Sequence, residues 1–273
     1  MLPYKNKVAV AAHRGNSKYF PENTLAAMKS ALSLPVDMLE TDVHMTSDGE
    51  LVIMHDDRVD RTTNGHGLIR EMTLSEIRKL DAGAWYSEKF RGEGVPTLSE
   101  LLELAKSRPD ILFNIELKDY ISPEEEGEFG IRPERVSHCE RSADKIIAML
   151  REYGVFERCV INCWGGRMLE YVAEKYPDAK IHAYSPEELM GLGQKRNLYT
   201  YAYCVCLWGP PEARIVPDHI FNTALAYGVE PWIYLNRECA EEYDLAIERG
   251  ARLITANDPL WVIEYLRKKG LHE

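Results

Sequence analysis

The stretch Val8–His44, VAVAAHRGNSKYFPENTLAAMKSALSLPVDMLETDVH, contains the structural unit that repeats along the chain. Its apolar opening, Val8–His13, is typical of a buried strand. The pattern over Asn23–Leu34 predicts an amphipathic helix capped by Asn23, and Met38–His44 predicts a second buried strand. This alternation of strand and helix indicates an α/β protein.

The same alternation continues to the end of the chain and predicts eight strands with intervening helices. The predicted strands are Val8–His13, Met38–His44, Ile111–Leu117, Arg158–Cys163, Lys180–Tyr184, Tyr201–Leu207, Pro231–Asn236 and Arg252–Ala256. The main predicted helices are Asn23–Leu34, Thr97–Lys106, Ala143–Tyr153, Arg167–Lys175, Asp218–Tyr227, Ala240–Arg249 and Leu260–Lys268. Eight such units favour a (β/α)₈ TIM barrel. An open doubly wound sheet is the alternative, although its glycine-rich dinucleotide fingerprint is missing after the first strand.

Composition indicates one globular domain over residues 1–273, since 45% of the residues are apolar and 28% are charged. The net charge of −11 and the lack of a basic cluster argue against nucleic-acid binding. No apolar stretch is long enough for a transmembrane segment, and the N-terminus lacks a secretory apolar region. Six cysteines without a C-x-x-C pair predict reduced thiols in a cytoplasmic protein. Nothing in the sequence indicates the oligomeric state.

Two long segments interrupt the alternation. The first, about residues 45–96, contains a short apolar run, a turn and a short helix, and it is expected to lie over one end of the barrel as a small inserted subdomain. The second, Asp119–Ala143, follows the third predicted strand. Its acidic run, Glu124–Glu128, is interpreted as a solvated loop.

Polar side chains occur at the carboxyl ends of the first three predicted barrel strands, where TIM barrels carry their active sites. Residues two apart share a face of a strand, so the following side chains should converge on one rim: His13, Glu40, Asp42, Asn114, Glu116 and Lys118. Three convergent carboxylates, Glu40, Asp42 and Glu116, predict a site for one divalent cation. Oxygen ligands favour Mg²⁺ or Ca²⁺, with Mn²⁺ also suitable. An ion-pair cluster with Arg14 and Lys118 is the alternative.

Two histidines are candidates for acid–base catalysis, because His13 and His55 each follow an apolar run and precede a polar residue. Taken singly, such a histidine is more often structural. Arg14 can hold a phosphate through two parallel hydrogen bonds, and Lys118 can neutralise an anionic substrate. His44 continues the face of Glu40 and Asp42, where it would contact either substrate or another side chain of the site.

These residues lie in a series of motifs that resembles the glycerophosphodiester phosphodiesterase family. In chain order the motifs are AHRG (12–15), PENT (21–24), LETDV (39–43), TSDG (46–49), HD (55–56), RTTNG (61–65), LDAG (80–83), VPTL (95–98) and NIELK (114–118). The match weakens after Lys118. Where the family often carries Trp-Thr-Val-Asn, this chain has Trp232 one position early and Asn236 aligned, so that either Ile233 takes the tryptophan position or a bulge restores it.

The resemblance implies a TIM barrel with an insertion, metal ligands at Glu40, Asp42 and Glu116, and an acid–base pair at His13 and His55. It also implies phosphate contacts from Arg14 and Lys118. The implied reaction, part of glycerol and lipid metabolism, cleaves a glycerophosphodiester into glycerol 3-phosphate and an alcohol. Either a glycerol hydroxyl attacks first and forms a cyclic phosphate, or water attacks directly.

Two other functions are compatible with the same residues. A phospholipase-D-like relative acting on lysophospholipids or related lipids would use a similar histidine pair and an apolar groove for the acyl chain. A non-catalytic barrel that binds phosphodiesters is the second alternative, although such barrels usually lose their histidines or carboxylates.

Overall fold

The computed structural model describes residues 2–186, 189–190, 195–208 and 218–273, and in them it contains a closed parallel barrel. Its strands are β1 (Ala9–Ala12), β2 (Met38–Met45), β3 (Leu51–Ile53), β4 (Leu112–Leu117), β5 (Cys159–Asn162), β6 (Ile181–Tyr184), β7 (Ala202–Trp208), β8 (Glu230–Tyr234) and β9 (Leu253–Ala256). The barrel order is β1-β9-β8-β7-β6-β5-β4-β2, and β1 pairs in parallel with both β9 and β2. That closure confirms the predicted TIM barrel and excludes the open sheet.

Helices surround the strands. Those in the described residues are α1 (Leu25–Leu32), α2 (Leu74–Ile77), α3 (Leu98–Ala105), α4 (Pro123–Phe129), α5 (Pro133–Glu152), α6 (Gly166–Lys175), α7 (Asp218–Ala226), α8 (Ala240–Glu248) and α9 (Pro259–Lys268). Thr97 and Asp258 cap α3 and α9: each side-chain oxygen accepts a backbone N–H of the first turn, from Glu100 and Trp261 respectively.

The predicted cap of α1 is wrong. Thr24, not Asn23, accepts the backbone N–H of Ala27. Asn23 has a φ of +58°, which takes it out of the helix and turns its side chain toward Asp42 and Thr41. A local propensity for capping is therefore overridden by hydrogen bonds to a neighbouring strand.

The interpretation of the acidic run as a loop is also wrong. Ser122 caps α4 and Pro123 occupies its first turn, so the carboxylates that follow stand at the positive end of a helix dipole. After Gly130, α5 begins at Pro133 rather than at Ala143. Clustered glutamates are compatible with a helix N-terminus as well as with a solvated loop.

Alternation along each strand divides the interior into two regions. Outward side chains such as Ile115, Ile161 and Ile233 pack against the helices in the main core. Inward side chains at the amino ends of the strands close the barrel from below, and Trp232 is the largest of them. The inward positions farther along each strand are mostly polar, and they line the opposite end.

The register of β8 bears on the alternative at Trp232. Its pairs with β9 run without interruption from Trp232 to Tyr234, so no bulge lies in this part of the strand. Ile233 faces outward into the main core, and Tyr234 faces the barrel interior.

Residues 45–96 attach at the carboxyl end of the barrel. There β3 pairs antiparallel with the end of β2, through Val43↔Ile53 and Met45↔Leu51. The segment has an apolar cluster of its own, formed by Val52, Met54, Val59, Ile69, Ile77, Ala82 and Val95. In the described residues no helix has the length and apolar character needed to cross a membrane.

The turn after β1 is a tight packing point. Gly15 has a φ of +83°, and a Cβ added there would lie 2.7 Å from the backbone carbonyl carbon of Ala27. The backbone N–H of Asn16 donates to the Ala27 carbonyl at 3.1 Å. Gly15 therefore leaves room for helix α1, which packs against the turn that carries His13 and Arg14.

We predict that Gly15→Ala destabilises the protein more than Gly49→Ala does, as measured by urea denaturation followed by circular dichroism. Gly49 has the same φ of +83° but nothing within 4 Å of an added Cβ. Gly49→Ala should therefore lower the free energy of unfolding by about 1 kcal/mol through backbone strain alone. Gly15→Ala should cost roughly 1–3 kcal/mol more, through overpacking. Equal losses would contradict the contact with α1.

Candidate active site

The carboxyl ends of the barrel strands surround a cavity of about 420 Å³. Its lining consists mainly of inward strand residues and includes six of the predicted site residues: His13, Arg14, Glu40, His55, Glu116 and Lys118. The seventh, Asp42, is fully buried beside them. The structure thus brings all seven predicted site residues together.

The three carboxylates of Glu40, Asp42 and Glu116 form one compact group. Each offers an oxygen within 4.8 Å of the others. The strand register accounts for this, because Asp42 of β2 pairs with Glu116 of β4 and Glu40 lies two residues earlier on the same face of β2.

Charge at this group is only partly balanced. Burial, and then the carboxylates of Asp42 and Glu116, raise the pKa of Glu40 well above its usual range. Burial alone would also raise the pKa of Asp42, but the Arg14 guanidinium and the Lys118 ammonium hold it well below its usual range. Asp42 Oδ2 accepts from Asn23 at 2.7 Å, whereas Asp42 Oδ1 has no hydrogen-bond partner among the described residues. A buried carboxylate oxygen without a hydrogen-bond partner is suited to coordinate a divalent cation that prefers oxygen ligands.

Two cationic side chains border the carboxylates. The Nε atom of Arg14 lies 3.2 Å from Asp42 Oδ2, and its Nη1 donates to Glu22 Oε1 at 2.9 Å. Lys118 donates to Glu116 Oε1 at 2.8 Å and lies 3.6 Å from Asp42 Oδ1. Both side chains also line the cavity, where an anionic group would meet them.

His13 is held by a neutral acceptor. Its Nδ1 lies 2.6 Å from Asn257 Oδ1, and because an amide oxygen only accepts, Nδ1 carries the proton. Nε2 is then the basic atom, 3.9 Å from Glu40 Oε2. Burial, and then the charge of Arg14, lower the pKa of His13 to about 3. The Tyr234 ring packs against the imidazole at 4.6 Å between centroids.

His55 is held by a carboxylate instead. Its Nδ1 lies 2.7 Å from Asp56 Oδ1, and Arg61 donates to both oxygens of Asp56. Arg61 also donates to both oxygens of Glu22, which in turn accepts from Arg14. This chain of ion pairs connects the inserted segment with the turn after β1.

His44 does not line the cavity. It is buried, with Nδ1 3.1 Å from Asp119 Oδ1 and Nε2 3.3 Å from the backbone carbonyl of His55. Asp119 also accepts from the Met45 backbone N–H and from Ser142. His44 thus contacts the backbone that carries His55 rather than the cavity.

Sequence reasoning missed several residues on the far side of the cavity. These are Asn162, His182, Tyr184, Tyr234 and Thr255, which line the cavity, and Asn257, which holds His13; all follow the same alternation at the ends of β5, β6, β8 and β9. The period of two along each strand could have identified these positions as inward-facing. It did not mark them as part of a site, because uncharged side chains in apolar runs are also typical of ordinary barrel strands. Burial lowers the pKa of His182, among them, to about 3.

A closed barrel that gathers three carboxylates, two histidines and two cationic side chains in and beside one cavity has the groups needed to cleave an anionic phosphoric ester. The chain belongs to the Glycerophosphoryl diester phosphodiesterase family, whose sequence profile matches residues 13–231. This membership confirms the predicted resemblance and the predicted enzyme class, a phosphoric diester hydrolase.

Individual relatives extend this match over nearly the whole chain. The glycerophosphodiester phosphodiesterase of Caldanaerobacter subterraneus is 37% identical over 97% of this chain and 100% of its own. The crystal structure of a glycerophosphodiester phosphodiesterase from Agrobacterium tumefaciens has a TM-score of 0.69 at 25% identity, over 92% of this chain and 97% of its own. A phosphodiesterase from Oleispira antarctica, solved in complex with its product sn-glycerol-3-phosphate, shares the fold with a TM-score of 0.75 at 21% identity, covering 95% and 96%.

We predict that His182→Gln reduces the loss of stability on acidification. The His182 pKa is about 3 in the folded protein against 6.5 as its ordinary value, so its contribution to stability is complete above pH 6.5 and is lost as the pH falls toward 3. Between pH 7.5 and 4.5 the variant should lose about 2–3 kcal/mol less than the wild type in urea denaturation. The control is His66→Gln, because the His66 side chain is 86% exposed. If His182→Gln has the wild-type pH dependence, the buried histidine is not neutral.

Proposed function

We propose that the protein hydrolyses glycerophosphodiesters to glycerol 3-phosphate and an alcohol, with a divalent cation held by Glu40, Asp42 and Glu116. The observation that carries this proposal is that His13 and His55 open onto the same cavity as the carboxylate group. The name of the full-length Caldanaerobacter relative supports the choice of substrate class.

The proposal of a divalent cation follows from the chemistry of the carboxylate oxygens. Three buried carboxylates with two lysine or arginine neighbours among the described residues favour a further positive charge, and oxygen donors favour Mg²⁺, Ca²⁺ or Mn²⁺. When bound, such a cation would supply Lewis-acid stabilisation of charge on a phosphate oxygen. Arg14 and Lys118 would hold the non-bridging oxygens of the same phosphate from the sides.

The hydrogen-bond partners suggest different roles for the two histidines. His13 donates Nδ1–H to an uncharged amide, so its Nε2 is free to accept a proton, and we assign it the role of general base. His55 Nδ1 faces a charged acceptor, the Asp56 carboxylate, instead of a neutral amide, and on this difference we assign His55 the role of general acid.

In the first step His13 Nε2 removes the proton from the attacking hydroxyl, the new P–O bond forms, and the bond to the alcohol breaks. His55 Nε2 protonates the departing alkoxide oxygen. If the attacking group is a glycerol hydroxyl, the product is a cyclic phosphate, which water opens with the histidine roles reversed. If it is water, glycerol 3-phosphate forms directly. ³¹P NMR of the reaction distinguishes the two routes.

We propose one catalytic domain over residues 1–273 with an inserted subdomain at about 45–96, which the separate apolar cluster of that segment supports. We also propose a cytoplasmic location, which the six free cysteines support, and a role in glycerol and lipid metabolism, which follows from the proposed reaction.

We predict metal-dependent turnover of glycerophosphocholine and glycerophosphoethanolamine. EDTA should abolish turnover, and Mg²⁺, Ca²⁺ or Mn²⁺ should restore it. Calorimetry should detect binding of the restoring ion to the wild type and to the exposed-site control Glu124→Gln. Glu116→Gln should bind it at least tenfold more weakly.

Turnover that is indifferent to EDTA would contradict the metal site. Turnover of lysophospholipids in place of these diesters would favour the phospholipase-D-like alternative, and binding without turnover the non-catalytic barrel.

We also predict that the leaving group separates the two histidines. On glycerophosphocholine, His13→Ala and His55→Ala should each lower kcat by roughly 10²–10⁴-fold, because each removes a proton transfer. On glycerophospho-p-nitrophenol, whose leaving group needs no proton, the defect of His55→Ala should shrink at least tenfold while that of His13→Ala persists. His66→Ala is the control. If the His13→Ala defect is the one that shrinks, the roles are reversed.

A further inference from the structure

A buried ion pair beside the backbone of His55 takes no part in the proposed reaction. It joins His44, near the end of β2, to Asp119, which follows β4 by two residues, and their side chains are only 3% and 5% exposed. Burying two ionisable groups in this way costs free energy that well-packed apolar side chains would not cost. Because such groups are common at functional sites, the pair points to a role in placing His55.

The carboxylate of Asp119 is held from both sides. Its Oδ2 accepts the backbone N–H of Met45 at 2.7 Å and the hydroxyl of Ser142 at 2.6 Å, so it is anchored on β2 and on α5. Its Oδ1 lies 3.1 Å from Nδ1 of His44 and 3.5 Å from Nε2 of His138. Burial alone would raise the pKa of Asp119, but these two histidines hold it well below its usual range. Asp119 is therefore a charged and firmly held anchor.

The ring of His44 connects this anchor to His55. Its Nδ1 faces the Asp119 carboxylate, and its Nε2 lies 3.3 Å from the backbone carbonyl oxygen of His55. Both oxygens can only accept, so the imidazole is held at each of its two nitrogen atoms. A ring fixed at two points cannot rotate freely, and the carbonyl of His55 is fixed with it.

His55 needs such an anchor because it lies outside the barrel strands. It follows β3, and its side chain is 33% exposed. The Asp56 carboxylate orients its imidazole, but Asp56 is the next residue of the same segment and moves with it. A displacement of about 1 Å at a reacting group can lower a rate by roughly 10²-fold. A contact from β2 to the His55 backbone therefore affects proton transfer.

We propose that Asp119 and His44 are positioning residues, which fix the backbone of His55 so that its imidazole meets the departing oxygen. This inference rests on the proposed function, in which His55 is the general acid. Both residues act through His55 and not on the substrate. Because Asp119 also accepts from Ser142, the packing of α5 contributes to the placement of His55.

Two amide variants separate positioning from structural support. His44→Gln places an amide nitrogen near Nε2, so it keeps a donor for the His55 carbonyl and loses the one to Asp119. His44→Asn reaches only the position of Nδ1, so it keeps a donor for Asp119 and loses the one to His55. On glycerophosphocholine, His44→Asn should lower kcat about tenfold or more with KM within about twofold, and His44→Gln should keep roughly a third or more of the wild-type kcat.

Stability in urea denaturation should follow the opposite order. His44→Gln leaves the buried Asp119 carboxylate without this donor, so it should be the less stable variant. If the pair only supports the structure, kcat falls with stability and His44→Gln is the less active variant. That order of activity would overturn the proposal.

The leaving group provides a second readout. If His44 acts through His55, the defect of His44→Asn should follow that of His55→Ala and shrink to about twofold or less on glycerophospho-p-nitrophenol. In the His55→Ala background, His44→Asn should lower kcat for glycerophosphocholine by no more than about twofold, because the two substitutions remove the same function. An equal defect of His44→Asn on both diesters, or an undiminished loss in the His55→Ala background, would contradict the proposal.

His272→Asn is the matched control. His272 and Asp37 form another buried histidine–aspartate pair, with Nε2 3.0 Å from Asp37 Oδ2 and side chains 1% and 5% exposed. This pair lies at the amino end of the barrel, where Asp37 accepts the backbone N–H of Val10. His272→Asn should lower stability while kcat for both diesters stays within about twofold of the wild type. If it reproduces the dependence on the leaving group, that dependence reports lost stability and the proposal is wrong.

NMR tests the contact without turnover. Asp56 is the one aspartate in the sequence that follows a histidine, so histidine labelled with ¹³C at its carbonyl and aspartate labelled with ¹⁵N give a single correlation, from the His55 carbonyl. Its ¹³C signal should shift in His44→Asn and stay near the wild-type position in His44→Gln and His272→Asn. Turnover of the diesters with an unshifted signal in His44→Asn would refute the positioning role alone. A shifted signal without turnover of any diester would contradict the proposed function, with the contact confirmed.

Discussion

The rest of the site depends on burying three carboxylates at one end of a parallel barrel. Glu40, Asp42 and Glu116 are at most 5% exposed, and each has a carboxylate oxygen within 4.8 Å of the others. Buried charges of like sign are tolerated only when other charges or dipoles compensate for them. Arg14 and Lys118 supply part of that compensation, and the amide of Asn23 and the backbone N–H of Arg14 supply more. The proposed cation would complete this compensation.

The same constraint explains the unusual backbone after β1. Arg14 has a φ of +55°, uncommon for a residue with a side chain, and its N–H donates to Glu40 at 2.8 Å. Asn23 is likewise left-handed, and its amide reaches Asp42. Both strained residues contact a carboxylate, as is common at functional sites. Gly15 then allows α1 to pack closely against the turn.

The insertion carries side chains that border the cavity as well as an apolar cluster of its own. It carries His55 and Asp56 and, through Arg61, reaches Glu22 on the barrel side. His44 contacts the backbone of His55 from below. The histidine is thereby fixed from two directions although it lies outside the barrel strands. Correct placement of His55 therefore depends on how the insertion packs against β2.

The sequence by itself determined the barrel and seven residues of the site. Both follow from local patterns, namely alternation along strands and charged residues at strand ends. These patterns are informative because the strands are buried. It did not determine the cap of α1, the helix at Glu124–Glu128, or the partners of the two histidines. Those depend on contacts between segments far apart in the chain, such as His13 with Asn257. The uncharged side chains that line the cavity around His182 were not predicted, for the same reason. Only closure of the barrel brings β5, β6 and β9 to face the carboxylates, and the role of a neutral side chain follows from what it faces.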